Sequence, residues 1–195
     1  DFDTRNQNSN RGEIFYAFVA DPRGERSCAH TLPIVERLLP ATFLHEFQHM
    51  ISFNQHVLVR GGSEEDPWLN EGLSHVAEEL GARHYAQRFP APTGRSIPTQ
   101  LLPDSAINFI RGNVQNAGLY LANPAVSSVT TFAGFGTLEE RGAAWLFLRW
   151  LAAQKGEGIY TRLVQTSRTS RRNVEEVAGE TFAGLFGDFG VALWA

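Results

Sequence analysis

The chain has 195 residues, of which 43% are hydrophobic and 19% are charged, a composition typical of a globular protein that can bury a sizeable core. Its formal net charge of -4 and its lack of a basic patch give no electrostatic argument for a nucleic-acid partner, so we expect none. Cys28 is the single cysteine, so no disulfide can form within the chain. No apolar run reaches the roughly 18 residues of a membrane span, so we expect no integral membrane segment.

The beginning of the chain, "DFDTRNQNSNRG", is polar and lacks the apolar stretch of a signal peptide. This segment resembles the interior of a longer polypeptide, so we expect a processed chain or an excised part of a longer protein. The next stretch, "EIFYAFVADPRG", is rich in aromatic and β-branched residues and closes with a Pro/Gly turn. This pattern predicts a β-strand over residues 13–20.

Two helices are predicted on either side of one short loop. A short helical piece over residues 33–39 precedes Pro40, which suits the first turn of a helix that continues to about residue 58. The loop "RGGSEEDP" interrupts the pattern, and helical spacing of apolar residues resumes over residues 68–89.

The second half of the chain predicts mostly helical structure. Residues 90–137 are punctuated by Pro, Gly, Ser and Asn and predict irregular structure with a modest helix after Asp104. Residues 137–154 predict a strongly apolar helix. Asn173 is a candidate N-cap for one broken helix or two short helices that follow it.

The stretch "FLHEFQHM" contains the pattern HExxH, with His45 and His49 four residues apart and Glu46 beside the first. Residues four apart share one face of a helix, so the two imidazoles can converge on one metal ion. Two His ligands and a Glu that acts as a base are the arrangement of zinc metalloproteases. Glu71 stands twenty-two residues after His49 on the returning helix, and its carboxylate would complete a His₂Glu ligand set.

HExxH followed by "WLNEG" resembles the gluzincin metallopeptidases, and "LHEFQHMI…WLNEGLSHVAEE" is most similar to the hyicolysin family. The resemblance implies zinc as the cofactor, with His45, His49 and Glu71 as ligands. It implies that Glu46 takes a proton from the metal-bound water. The spacing of the residues, taken alone, indicates the same four site residues.

The resemblance also implies a fold and an organisation. We expect an α+β, zincin-like metallopeptidase fold, in which a small sheet packs on the active-site helix and a mostly helical C-terminal lobe follows. Residues 1–88 would form the zinc-binding catalytic lobe and residues 89–195 the helical lobe, with one continuous catalytic domain as the alternative. The strand over residues 13–20 would be the edge along which a substrate adds its backbone, or a plain core strand.

Other polar residues near the motifs are weaker candidates. His56 lies about 10 Å along the helix from His49 and cannot share its ion. The elongated motif of metzincins is excluded, because Ser52 and Gln55 stand where it needs Gly and His.

His75 and Glu78 follow Glu71 by four and seven residues and share its side of the helix. Each is a candidate hydrogen-bond partner of a metal-bound His, and a solvated helix position is the alternative.

The sequence does not identify the group that would stabilise the oxyanion. "LEERGAAWLFL" resembles the aminopeptidase-type motif Tyr-Glu-Lys-Gly-Ala, but Glu139 stands at the tyrosine position. Tyr120, His75 and Arg141 are candidate donors. For Arg141 the alternative is an ion pair with a surface carboxylate. If no residue supplies the donor, the alternative is reduced activity.

The expected function is zinc-dependent hydrolysis of peptide bonds in a polypeptide substrate. Aminopeptidases of this clan hold the substrate amine with a Gly-x-Met-Glu-Asn strand, but the only Met here is Met50, so an endopeptidase is favoured. A zinc-binding module that binds protein without turnover is a second reading, and a metal-free structural domain is a third. The family implies an extracellular or cell-envelope location, and the oligomeric state is not readable.

Overall fold

The computed structural model describes residues 7–8, 12, 14–88 and 104–194. Over these ranges the chain is mostly helical, with non-helical segments that include residues 14–31, 60–66 and 127–137. The helices are α1 (Leu32–Phe53), a π-helix (Asn54–Val59), α2 (Pro67–Arg88), α3 (Asp104–Ala122), a 3₁₀ turn (Pro124–Val126), α4 (Leu138–Lys155), α5 (Gly158–Val164), α6 (Ser170–Ala178) and α7 (Phe182–Trp194).

The prediction of an α+β fold with a small sheet is wrong. Residues 14–20 have no strand partner, and the only β-pairing within the described part of the chain is a single bridge between Asp21 and His30. Residue 13 lies outside the described residues. An alternating apolar sequence becomes a strand only when a second strand satisfies its backbone. Here the segment lies beside α1, with the rings of Phe15 and Phe43 5.1 Å apart.

Helix α1 is longer at its beginning than predicted. Pro33 occupies the first turn, and the helix continues through Pro40 without ending. A proline inside a helix removes one backbone hydrogen bond, so a break before Pro40 was the expected result. The predicted end near residue 58 falls inside the π-helix, which carries the chain on from Phe53.

The later helices confirm the predicted positions only in part. Helix α2 matches its prediction, and α4 begins after Thr137, whose hydroxyl accepts from the backbone N–H of Glu140 in a capping box. Helix α5 was not predicted. Asn173 is not an N-cap, because α6 begins at Ser170 and places Asn173 inside the helix.

The main core packs α2 and α4 against each other and against the later helices. It contains Trp68 and Leu69 of α2, Phe147 and Leu148 of α4 and Phe189 of α7, all nearly inaccessible to solvent. Burying each of these five large apolar side chains, relative to leaving it exposed to water, stabilises the fold by about 1.5–3 kcal/mol. The described helices include none with the length and apolarity needed to cross a bilayer.

Glycines allow the helices around α2 and α4 to approach closely. A Cβ on Gly72 of α2 would lie 2.8 Å from a methyl group of Leu148, and a Cβ on Gly142 of α4 would overlap backbone atoms of Asn116 and Ala117 in α3. Backbone atoms cannot rotate out of the way as a side chain can. The crossing of α3 and α4 therefore depends on Gly142.

We expect Gly142→Ala to lower the free energy of unfolding by at least about 1–3 kcal/mol, the usual cost of overpacking. Urea unfolding followed by circular dichroism measures this change. Gly118→Ala is the matched control, because a Cβ there meets nothing within 4 Å and alanine favours the helix. Equal stability of the Gly142→Ala variant and the wild type would contradict the tight crossing.

Candidate metal centre

The pairing of α1 with α2 brings three of the predicted ligands together. Nε2 of His45 lies 3.4 Å from Oε2 of Glu71, and Nε2 of His49 lies 3.5 Å from Oε1 of the same carboxylate. The rings of His45 and His49 are 4.9 Å apart. The three side chains can each offer one ligand atom with all of these atoms within 4.8 Å of one another.

These separations suit a metal ion better than direct hydrogen bonds. A good N–H···O bond is about 2.9 Å long, so 3.4 and 3.5 Å are loose contacts. Two ligands on a tetrahedral zinc ion with bonds of about 2.0 Å are about 3.3 Å apart. Two imidazoles and one carboxylate are also the ligand set of catalytic zinc sites, so the residues fit the ion.

Glu78 fixes the orientation of His45. Nδ1 of His45 lies 2.7 Å from Oε1 of Glu78, so the ring donates its Nδ1–H to the carboxylate and turns Nε2 toward Glu71. The other oxygen of Glu78 lies 3.3 Å from Nδ1 of His75, whose ring packs against that of His45. A carboxylate behind a histidine is the usual support of a metal-ligating imidazole.

A second group, His45, His75 and Glu78, also has ligand atoms within 4.8 Å of one another. It shares His45 with the first group. The 2.7 Å contact between His45 and Glu78 has the length of a hydrogen bond. We therefore interpret Glu78 and His75 as supports of the first group.

The carboxylates of Glu71 and Glu78 favour the protonated, positively charged form of His45. A bound metal ion would supply the positive charge in place of that proton. Burial lowers the pKa of His45, but Glu71 and Glu78 outweigh it and raise the pKa to about 9. Burial raises the pKa of each carboxyl, yet contact with His45, and with Arg141 in the case of Glu71, holds both pKa values below the ordinary range. The two carboxylates therefore favour a positive charge beside them.

Two contacts at this cluster were not predicted from the sequence. The hydroxyl of Ser74 lies 3.2 Å from Nδ1 of His49, and Nη1 of Arg141 lies 2.8 Å from Oε2 of Glu71. Ser74 follows Glu71 by three residues, so helical spacing alone could have placed it on the same face. Arg141 comes from α4, and no local pattern indicates its contact.

The remaining candidates lie in different surroundings. Glu46 is exposed on α1 and follows the candidate ligand His45 in the sequence. Tyr120 is 4% exposed and lines a cavity with residues of α6 and α7, where burial raises its pKa. Glu139 lies in the first turn of α4. The structure therefore brings His75 and Arg141, but not Tyr120, into contact with the ligand cluster.

Comparisons of the chain with protein-family models, with curated proteins and with solved structures find no match. The resemblance to gluzincins rests on the two motifs and on the cluster that they form.

The raised pKa of His45 predicts how the metal-free protein responds to pH. A histidine with a folded-state pKa of about 9 and an ordinary value of 6.5 adds stability that is complete below pH 6.5 and lost as the pH rises through 9. We expect the difference in free energy of unfolding between wild type and His45→Gln, measured with a chelator present, to shrink over this range. A difference that does not change with pH would contradict the ion-paired state of His45.

Proposed function

We propose that this protein is a zinc-dependent peptidase of the gluzincin type that acts as an endopeptidase on polypeptides. The observation that supports it most directly is the meeting of His45, His49 and Glu71 at separations suited to one ion. A bound Zn²⁺ ion would polarise the scissile carbonyl and lower the pKa of the attacking water. By the family resemblance we also expect an extracellular or cell-envelope location.

The residues of the chain would divide the remaining work. His45, His49 and Glu71 would hold the ion, with Glu78 keeping Nε2 of His45 turned toward it. Glu46 follows His45 in the sequence and is exposed to solvent, and by the family resemblance its carboxylate would accept a proton from the attacking water. The same group would return that proton to the leaving amine as the C–N bond breaks.

A second candidate function is a zinc-binding module that binds protein without turnover. It is favoured by the state of the proposed oxyanion donors. Tyr120 lines another cavity, Arg141 is paired with Glu71, and His75 packs on His45. If no other donor reaches the developing charge, the largest electrostatic contribution to catalysis would be missing.

The two candidates differ in the effect of Glu46→Gln. We expect the wild type to bind about one zinc ion per chain, His45→Ala to lose it, and Glu46→Gln to keep it while cleavage slows about 100-fold to 10,000-fold. Elemental analysis measures the metal, and mass spectrometry of a digested unfolded protein measures internal cleavage. Glu36→Gln is the matched control, because Glu36 is an exposed carboxylate on the same helix.

Each remaining outcome has a definite meaning. Failure of the wild type to bind zinc, even when zinc is supplied, would exclude both candidates. Zinc bound in the wild type without cleavage of any substrate would favour the binding module. Cleavage that Glu46→Gln leaves unchanged would remove Glu46 from the mechanism.

A further inference from the structure

Arg141 joins the beginning of α4 to the candidate ligand Glu71. Its Nη1 atom lies 2.8 Å from Oε2 of Glu71, and the two side chains are only 25% and 15% exposed. The pair is therefore not a solvated surface ion pair, whose strength would be small. Its position makes Arg141 a part of the surroundings of the ligand cluster.

The loop before α4 fixes the guanidinium group in place. Nη2 of Arg141 donates to the carbonyl oxygen of Phe135 at 2.9 Å, and Nε donates to that of Gly136 at 3.4 Å. Gly136 has a φ of +87°, and a Cβ there would overlap the ring of Phe132. The planar fork of an arginine can make these contacts and reach Glu71 at the same time, whereas a lysine cannot.

We propose that Arg141 is a positioning residue that holds Oε2 of Glu71, so that the carboxylate binds the metal through its other oxygen, Oε1, which faces His49. This inference rests on the proposed function. A carboxylate that binds through both oxygens occupies two positions on an ion. Restricting Glu71 to one oxygen keeps a position open for water and substrate, as a catalytic zinc site requires.

The geometry favours this role over donation to an oxyanion. The Nη1 group that faces the cluster forms an ion pair with Oε2 of Glu71, and the two other contacting nitrogens donate hydrogen bonds to backbone carbonyls. An oxyanion donor must instead point at the place where charge develops on the substrate. Arg141 points at a ligand, so its first effect would be on metal binding.

The helix pair offers a matched control for Arg141. Arg149 lies eight residues later on α4 and pairs at 2.9 Å with Glu79, which lies eight residues after Glu71 on α2. Glu79 also accepts from Arg83 and from the indole of Trp145, so it keeps partners when Arg149 is removed. Loss of Arg149 removes the same type of interhelical ion pair at a distance from the ligand cluster.

The test compares the wild-type chain with Arg141→Ala, Arg141→Lys and Arg149→Ala. Zinc affinity is measured by competition with a chelator, and the visible absorption of the Co²⁺-loaded protein reports the coordination number. We expect Arg141→Ala to weaken zinc binding about 10-fold to 100-fold. Its Co²⁺ absorption should also weaken, because a second oxygen of Glu71 would raise the coordination number. Arg149→Ala should leave both measurements unchanged.

Arg141→Lys tests whether charge alone is sufficient. Because lysine cannot hold both the loop carbonyls and Glu71, we expect its Co²⁺ spectrum to resemble that of Arg141→Ala. It also serves as the second variant if Arg141→Ala does not fold. A lysine variant with wild-type affinity and spectrum would overturn the positioning role.

The outcomes separate this inference from the proposed function. A wild-type chain that binds neither Zn²⁺ nor Co²⁺ would overturn both. A wild-type chain that binds both ions, with an Arg141→Ala variant of equal affinity and identical spectrum, would overturn only the positioning role. If that variant also loses peptide cleavage, Arg141 acts on the substrate instead of on Glu71.

Discussion

The antiparallel register of α1 against the segment that leads into and through α2 is the constraint on which the candidate site depends. His45 faces Glu78, His49 faces Glu71, and His56 of the π-helix faces Glu65. Residue numbers rise along α1 as they fall along the facing segment, so successive histidines meet successive carboxylates, and His45 also lies near Glu71. A slip of one residue between the two helices would turn both ligands away from their partners.

Helix α4 also packs against α2. The ion pairs Glu71–Arg141 and Glu79–Arg149 join the two helices at positions that lie eight residues apart on each helix. The carboxylate of Glu79 is buried and receives charge-assisted bonds from Arg83 and Arg149. Leaving such a buried charge without its partners typically costs about 3–5 kcal/mol, so Glu79 depends on side chains of both α2 and α4.

The sequence predicts local features of the molecule and misses those that depend on distant residues. The spacing of His45 and His49 fixes their common face, because four residues make about one helical turn. The prediction of a strand over residues 13–20 was wrong because a strand needs a second strand to pair with, and the local sequence does not show whether one is present. The prediction of Asn173 as an N-cap was wrong because α6 begins earlier, at Ser170. There Glu65, more than a hundred residues earlier in the chain, accepts from the N–H of Ser170 and from the side-chain amide of Asn173.

The same register produces two different environments along α1 and its π-helix. At the closed end the side chains of His56 and Glu65 are fully buried 3.7 Å apart, where burial lowers the pKa of His56 and raises that of Glu65 to about 7. Burial there favours the uncharged forms, as in a structural pair. At the open end, two carboxylates flank His45, Arg141 pairs with one of them, and solvent reaches Glu46. Charge and access to solvent, more than the His–Glu pairing itself, distinguish the candidate metal centre from its structural counterpart.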